Sequence, residues 1–173
     1  MQFSMRVNLV LLRHATAESK HNLVPDPQRR LTKSGKRESR KLAKVFEKFG
    51  FPPPHIIISS GYVRAEETLS YFNFPELTKK IIAHEFEPEG SPALAVQKLK
   101  SFLPAENESG ILTLWIVGHN PNISSILNET VPSLSGLIKS FPKGGAVWLE
   151  WDDSLMCFLD SPKLRAFIPN ALD

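Results

Sequence analysis

Two arginines and two histidines stand where apolar runs end in this sequence. The run Leu9–Leu12 leads directly into Arg13 and His14, within LVLLRHATAE. The run HIII is followed by SSGYVRAEET and so by Arg64, and the run ILTLWIV is followed by GHNP and so by His119. One such residue is usually a solvated strand end, but four of them after three separate runs indicate a site. Cationic and imidazole groups that meet at one place bind a compact dianion, for which phosphate is the natural candidate.

The apolar runs themselves are predicted to be strands. Val7–Leu12 and Ile111–Val117 are nearly continuous, which is typical of central strands in a sheet that is covered on both faces. His55–Ile58 is a shorter run of the same kind, and Lys80–Ala83 is a weaker one. Two further predicted strands form a hairpin around DDS at a sheet edge, Ala146–Trp151 and Leu155–Leu159.

Helical patterns lie between these strands. Apolar residues recur at helical spacing from Leu42 to Phe49, and Gly50 ends that helix. Ser60 is predicted to cap a helix that carries Arg64 in its first turn. This alternation predicts an α/β protein, a three-layer α/β/α sandwich with a mainly parallel sheet that binds ligands at the carboxyl ends of its strands. The other predicted helices are Ala93–Phe102 and one through Ile123, Ile126 and Leu127, with Asn120 as its N-cap and Pro121 in its first turn.

Composition limits the class of protein. A length of 173 residues suits one domain, predicted to span 1–173 with its core at about 6–160. The single Cys157 excludes an internal disulfide and fits a reducing compartment, so a cytoplasmic location is expected. No apolar stretch approaches the ~20 residues of a membrane span. A net charge of +3 does not by itself argue for a nucleic acid or a membrane as partner.

The motifs around these residues resemble those of the histidine phosphatase (phosphoglycerate mutase-like) superfamily, and most closely its SixA-type phosphohistidine phosphatase branch. LLRHATAE resembles the RHG signature, with Ala15 in place of glycine. RRLTKSGKRESRKLA, IIISSGYVRAEETL, WIVGHNPNISSIL and FPKGGAVWLEWD resemble four further segments of that branch, in order along the chain. The resemblance implies a phosphoglycerate mutase-like fold. Only 54 residues separate Arg64 from His119, so no large lid insertion is expected.

The resemblance also implies roles for the site residues. His14 corresponds to the nucleophile that forms a phosphohistidine intermediate, and Arg13, Arg64 and His119 correspond to the phosphate pocket. No cofactor and no metal are implied, and the remaining histidines show no metal-ligand spacing. The general acid is less defined: HEFEPEG offers Glu87 and Glu89, with Glu85 as a third carboxylate.

These residues predict a phosphatase that removes phosphate from phosphohistidine on proteins. Its partner would be a phosphohistidine carrier or phosphorelay domain, and phosphate or sulfate is expected to bind at the site. The alternatives are a small-molecule phosphomonoesterase of the same superfamily, which would take a small phosphoester, and a non-catalytic domain that binds phosphoproteins. Nucleic acid and membrane are not expected as partners.

Segment 29–48 concentrates nine of the 21 cationic residues against Glu38 and Glu47. Such a segment is typical of the solvated face of an amphipathic helix. It would also suit a docking surface for an acidic phosphoprotein. Nucleic-acid binding is disfavoured, because no aromatic residue interleaves the charges before Phe46.

Overall fold

A computed structural model of the chain describes residues 5–20, 23–103, 110–134, 138, 140–152 and 161–169. Its helices pack on the two faces of one six-stranded sheet. The four α-helices are α1 (Lys33–Lys48), α2 (Val63–Leu69), α3 (Pro92–Lys100) and α4 (Asn122–Thr130). The strands are β1 (Met5–Arg13), β2 (Ile56–Ser59), β3 (Lys79–Ile82), β4 (Gly110–Gly118), β5 (Ala146–Trp151) and β6 (Lys163–Ile168).

The sheet has the strand order β3-β2-β4-β1-β5-β6. The four strands β3, β2, β4 and β1 run parallel, and β5 and β6 are antiparallel to their neighbours. Because β1 and β4 pair in register, with Arg13 opposite Gly118, their carboxyl ends lie side by side. The predicted α/β class with a mainly parallel sheet is therefore confirmed.

Both faces of the sheet are buried, which is why its central strands are continuously apolar. Successive side chains of a strand point to opposite faces, so Val10 and Leu12 pack with Phe46 of α1 on one side. Leu9 and Leu11 pack on the other side with a cluster that includes residues of α3 and α4. None of the helices in the described ranges is long and apolar enough to cross a membrane.

The carboxyl-terminal part of the sheet contains β6, a strand that was not predicted. The predicted strand Leu155–Leu159 lies outside the described residues, and β5 pairs antiparallel with β1 on one side and with β6 on the other. This strand lies beyond the predicted core of 6–160. It is an edge strand that buries only Ile168 fully, so its sequence, KLRAFI, lacks the apolar run that marks the central strands.

Two predicted helix caps are wrong. The helix after β2 begins at Val63 with Tyr62 as its N-cap, so Ser60 lies two residues before the capping position. The helix after β4 has Pro121 rather than Asn120 at its N-cap, without a side-chain capping bond. Both polar side chains make contacts near the strand ends instead.

Candidate active site

The ends of β1 and β4 bring the first two predicted site residues together. His14 follows β1 directly, and its backbone N–H donates to the Gly118 carbonyl at 3.1 Å. His119 follows Gly118, and the two imidazole rings lie with their centroids 4.9 Å apart. Strand register thus places side by side two histidines that are separated by more than 100 residues in the sequence.

The two arginines complete the group. Arg64 lies in the first turn of α2, is only 2% exposed, and directs its Nε to within 3.2 Å of His14 Nε2. Arg13, the last residue of β1, donates from Nη1 to the Phe141 carbonyl at 2.6 Å. All four residues line one cavity of about 560 Å³ at the carboxyl edge of the parallel strands. This is the edge where ligands bind in sheets of this kind.

Hydrogen bonds define the tautomer of His14. Its Nδ1 lies 2.6 Å from the Ala15 carbonyl, which can only accept, so Nδ1 carries the proton. The other nitrogen, Nε2, therefore carries the lone pair, and it accepts from Arg64 Nε–H. A neutral imidazole held in this way presents a nucleophilic nitrogen among positive charges.

Both histidines are neutral at physiological pH. Burial lowers the pKa of His14 from 6.5 to about 3, and the charges of Arg64, Arg13 and Arg29 add to that effect against the Ala15 hydrogen bond. Burial likewise lowers the pKa of His119 to about 2, with the His14 and Arg64 charges acting in the same direction. Desolvation disfavours the charged form of an imidazole, and neighbouring cations disfavour it further.

These lowered pKa values predict that acid destabilises the fold. Below pH ~6.5 the unfolded chain protonates both histidines while the native chain does not, so stability falls as pH falls, by ~1.4 kcal/mol per pH unit for each histidine. Urea unfolding of the wild type and His119→Gln between pH ~7 and ~4.5 measures this. The unfolding free energy of the wild type should fall more steeply with decreasing pH than that of His119→Gln. The difference in slope should correspond to close to one additional proton taken up on unfolding. Equal slopes would contradict the lowered pKa of His119.

Two buried donors of this site have no partner in the described part of the chain, Arg13 Nε and His119 Nδ1. The tautomer of His119 follows from Ser60, whose Oγ accepts from the Tyr62 N–H at 3.3 Å and lies 2.7 Å from His119 Nε2. Ser60 is only 3% exposed, and in the described part of the chain Nε2 is the one acceptor within reach of its hydroxyl hydrogen, so Ser60 donates to Nε2 and the proton of His119 lies on Nδ1. Unpaired buried donors are costly unless a ligand accepts from them.

Asp26 and Arg29 also line the cavity, although neither residue was predicted from the sequence to belong to the site. The Asp26 carboxylate contacts Arg64 Nη2 at 2.9 Å and Arg29 Nη2 at 2.8 Å, and its backbone carbonyl accepts from Arg64 Nη1 at 2.6 Å. Burial acts to raise the pKa of Asp26, but hydrogen bonds from Arg29 and Arg64 outweigh it and hold that pKa below its usual value. Asp26 thus fixes the orientation of Arg64.

The candidate acids lie in different surroundings. Glu89 lines the cavity and is exposed to solvent. The carboxylate of Glu87 lies 2.6 Å from His84 Nδ1, and that of Glu85 pairs with Lys98 at 3.2 Å. The Asn122 amide donates to the backbone carbonyls of Glu85 and Glu87 and so fastens this loop to α4. Glu89 is therefore the carboxylate of this loop that faces the cavity.

Cation density, rather than a ligand set for a metal, characterises the cavity. Lys20, Arg29 and Lys143 line it together with the two predicted arginines. In the described ranges, no group of three or more histidine, cysteine or acidic side chains is placed to hold a metal ion. The arrangement can bind a compact oxyanion next to the lone pair of His14 Nε2.

Comparison of the amino-acid sequence identifies no family, although it finds a distant curated relative. No protein-family model matches the chain. An uncharacterised chloroplastic protein of Arabidopsis thaliana, At3g52155, is 26% identical over 122 residues, which are 68% of this chain and 56% of that relative. The chain thus matches only about half the length of this curated relative.

Solved structures match almost the whole chain. SixA of Agrobacterium tumefaciens has a TM-score of 0.74 and 21% identity over 93% of this chain and 96% of its own. The protein histidine phosphatase SixA in complex with tungstate has a TM-score of 0.71 and 18% identity over 95% and 97%. A phosphoglycerate mutase of Plasmodium falciparum has a TM-score of 0.62 and 20% identity over 94% and 91%. The chain therefore has the phosphoglycerate mutase-like fold of the histidine phosphatases, in the form that the SixA structures share.

Proposed function

We propose that this protein is a phosphatase that works through a phosphorylated His14. The observation that carries the proposal is the state of His14: a neutral ring, protonated at Nδ1 by its bond to the Ala15 carbonyl, with the Nε2 lone pair inside a cationic cavity. Nucleophilic catalysis needs a nucleophile that is unprotonated at working pH, and phosphoryl transfer needs fixed positive charge around it.

In the first step, His14 Nε2 attacks phosphorus in line. The new P–N bond forms as the bond to the leaving group breaks, and the electron pair of that bond stays with the leaving group, which takes up a proton from the carboxylic acid of Glu89, our proposed general acid. Positive charge develops on the His14 ring, where the Nδ1–H bond to Ala15 stabilises it. Arg13 Nε and His119 Nδ1, the two unpaired buried donors, supply hydrogen bonds to the non-bridging oxygens.

In the second step, water attacks the phosphorus of phospho-His14. The P–N bond breaks, its electron pair returns to Nε2, and the proton of the water passes to a carboxylate at the cavity, for which we propose Glu89. Inorganic phosphate leaves, and His14 is restored in its neutral form. A SixA structure with the same fold was solved in complex with tungstate, an oxyanion, which supports an oxyanion as a ligand of this chain.

We further propose phosphohistidine on a protein as the substrate. Between Arg64 and His119 the described residues form β3, a short 3-10 helix, α3 and β4, with no inserted lid domain among them. A cavity at an open edge admits a side chain presented by another protein. The exposed Glu89 also suits a P–N bond, because the imidazole leaving group can depart neutral after protonation and so demands little of an acid.

A small phosphomonoester is the second candidate substrate, and one observation favours it. The cavity of about 560 Å³ is much larger than a phosphoryl group, and Lys20 and Lys143 line it beside the deeper arginines. A small molecule with a second anionic group could therefore occupy the remaining space.

Phosphate release by the wild type from a phosphohistidine-bearing carrier domain and from a phosphomonoester tests the function. The proposal expects the phosphohistidine protein to be cleared at least about 10²-fold faster in kcat/KM. Faster hydrolysis of the ester would leave the role of His14 intact and assign the second substrate. Tungstate or phosphate binding without hydrolysis of either substrate would instead make the protein a binding domain and overturn the enzymatic proposal.

The variant Glu89→Gln is expected to slow hydrolysis of an alkyl phosphate more than hydrolysis of phosphohistidine. A general acid contributes about 10²–10⁴-fold where the leaving group needs a proton, so hydrolysis of an alkyl phosphate should fall by about 10²-fold. Hydrolysis of phosphohistidine should fall by less than about tenfold, since protonated imidazole leaves readily. Glu87→Gln is the matched control, because the Glu87 carboxylate is held by His84. Equal losses in both variants would contradict the assignment of Glu89.

Ser60→Ala tests the tautomer of His119. Without the hydroxyl, Nε2 loses its donor, and the ring can place its proton on Nε2 and a lone pair towards the phosphoryl oxygen. We expect about 10- to 100-fold weaker phosphate binding, the effect of an unsatisfied buried pair. The ¹⁵N shifts of labelled histidine report the change of tautomer directly. Ser39→Ala removes another buried serine hydroxyl, bonded to Gly35, and should leave both readouts unchanged.

A further inference from the structure

The outward face of α1 carries an unusual concentration of positive charge. Its exposed charged residues are seven cations and the single acid Glu47, while its other acid, Glu38, is buried. At 100° per residue the seven cations fall within one side of the helix. The α1 cationic stripe consists of Lys33, Lys36, Arg37, Arg40, Lys41, Lys44 and Lys48.

This stripe weakens the helix that carries it. Like charges four residues apart repel, and the stripe contains several such pairs, for example Lys36 with Arg40 and Arg40 with Lys44. The first turn contains Lys33 and Lys36 and no acid, although the amino end of a helix favours negative charge. In the described part of the chain, every stripe residue except Lys41 lacks a carboxylate within ion-pair distance. Local stability does not explain these charges.

The charge is also specific to this helix. The chain has 21 basic and 18 acidic residues, of which α1 holds seven and two. The rest of the chain therefore has 14 basic and 16 acidic residues and is slightly negative. A localised positive face on an otherwise weakly negative protein attracts an acidic partner to that face rather than to the whole surface.

An apolar groove runs beside the stripe. A cavity of about 480 Å³ is bordered by Arg40 and Lys44 and lined by aromatic residues that include Phe51, Phe72 and Trp115. It lies on the flank of α1, so that the cations stand along one wall.

The groove adjoins the segment that follows His14. Tyr71 lines the groove, with the Arg40 guanidinium 5.2 Å from its ring centre. The same tyrosine packs against Ala15, Ala17 and Leu31, a small cluster that contains the residue next to His14. A partner seated in the groove therefore lies close to the loop that carries the proposed nucleophile.

We propose that the α1 cationic stripe and this groove dock an acidic amphipathic helix of the phosphoprotein substrate. The proposal rests on the proposed function in that the docked partner is the substrate. A helix with acidic residues along one edge and apolar residues along the other matches a cationic wall beside an apolar slot. A polynucleotide would match the charge, but stacking bases needs exposed aromatic faces, and Phe51 and Trp115 are only 8% and 4% exposed because they pack against other rings. The groove therefore favours the apolar edge of a protein helix.

Binding is tested apart from catalysis with three labelled probes of equal charge. They are a helical peptide of about 20 residues with Glu on one face and Leu on the other, its scrambled form, and a single-stranded oligonucleotide. Fluorescence anisotropy should show the amphipathic peptide bound at least about tenfold more tightly than either control, with affinity that falls with salt. Equal binding of the scrambled peptide, or tighter binding of the oligonucleotide, would overturn the proposal.

Charge reversal locates the surface. Binding of the amphipathic peptide should be at least about tenfold weaker in the triple variant Lys36→Glu/Arg37→Glu/Lys44→Glu. It should also be at least about tenfold weaker in Ala43→Glu, which places a negative charge within the groove. The matched control Arg6→Glu/Lys79→Glu/Lys100→Glu makes the same change in net charge at exposed residues outside α1. Equal weakening by the control triple variant would show a general charge effect and overturn the proposal. Circular dichroism confirms that each variant is folded.

Turnover then separates docking from the proposed function. In the α1 triple variant, kcat/KM should fall at least about tenfold for the phosphohistidine protein, while hydrolysis of a small phosphoramidate stays within about twofold. Equal losses on both substrates, or no loss on either, would overturn docking. If the wild type does not hydrolyse the phosphohistidine protein but still binds the peptide through the stripe, the proposed substrate is wrong and the proposed binding surface is supported.

Discussion

Replacing His14 with alanine is expected to reduce turnover by about 10⁴-fold or more, because the variant has no nitrogen to receive the phosphoryl group. Phosphate should still bind, since the unpaired donors Arg13 Nε and His119 Nδ1 remain. Brief incubation of the wild type with labelled substrate should give a protein-bound phosphate that is labile in acid and stable in base, as phosphohistidine is. Mass spectrometry should place it on His14, and the variant should carry none.

His55→Gln is the matched control for this experiment. The His55 side chain is exposed and accepts from the Thr113 N–H through Nδ1, a bond that the glutamine oxygen can replace. Its activity and labelling should equal those of the wild type. A labelled phosphate that persists in His14→Ala, or turnover within about tenfold of the wild type, would exclude His14 as the nucleophile.

The sequence carried enough information to predict the convergence of the four central residues because each follows a strongly marked element. Arg13, His14 and His119 lie at the ends of continuous apolar strands, and parallel strands in one sheet end at a common edge. Arg64 lies in the first turn of the helix that follows β2, which also begins at that edge. Local pattern and topology therefore suffice to bring these side chains together.

Residues whose positions depend on loop conformation were not predicted. Asp26 and Arg29 reach the cavity through a short 3-10 helix that follows Pro25 and contains Pro27, and no apolar period marks that segment. Ser60 has the sequence signature of a helix cap, yet α2 begins three residues later, and the Ser60 hydroxyl contacts His119 at the end of the neighbouring strand β4. Such long-range contacts leave no trace in local sequence pattern.

The loop residues nevertheless determine what the strand-end residues can do. The tautomer of His119 depends on Ser60, and the orientation of Arg64 depends on Asp26. The residues of the candidate site are thus recognisable from the motifs, whereas the proton positions and side-chain orientations come from the connecting segments.

Removing Arg64 should produce the second large loss of activity. Asp26 holds its Nη1 and Nη2 through the backbone carbonyl and the carboxylate, so Nε remains directed at His14 Nε2, where the phosphoryl group arrives. Arg64→Ala should lower kcat/KM by about 10²–10³-fold, or ~3–4 kcal/mol, the loss seen when one preorganised donor to a transition state is removed. Arg30→Ala is the control, because its ion pair with Glu67 is exposed.

Arg64→Lys should restore little of this activity. The three donors of an ammonium group share one nitrogen, so they cannot reach the backbone and carboxylate oxygens of Asp26 and also a phosphoryl oxygen on the other side, whereas the planar guanidinium has donors on each edge. Asp26→Asn should cost about tenfold by itself, because it removes the charge that holds Arg29 and Arg64 together.

A double-mutant cycle then separates positioning from an independent role of Asp26. Since Asp26 acts through Arg64, adding Asp26→Asn to Arg64→Lys should lower kcat/KM by little beyond the loss in Arg64→Lys alone. Losses that simply multiply would mean that Asp26 affects the reaction without Arg64. Melting temperatures of all four proteins distinguish either result from partial unfolding, because a fold defect lowers stability and activity together.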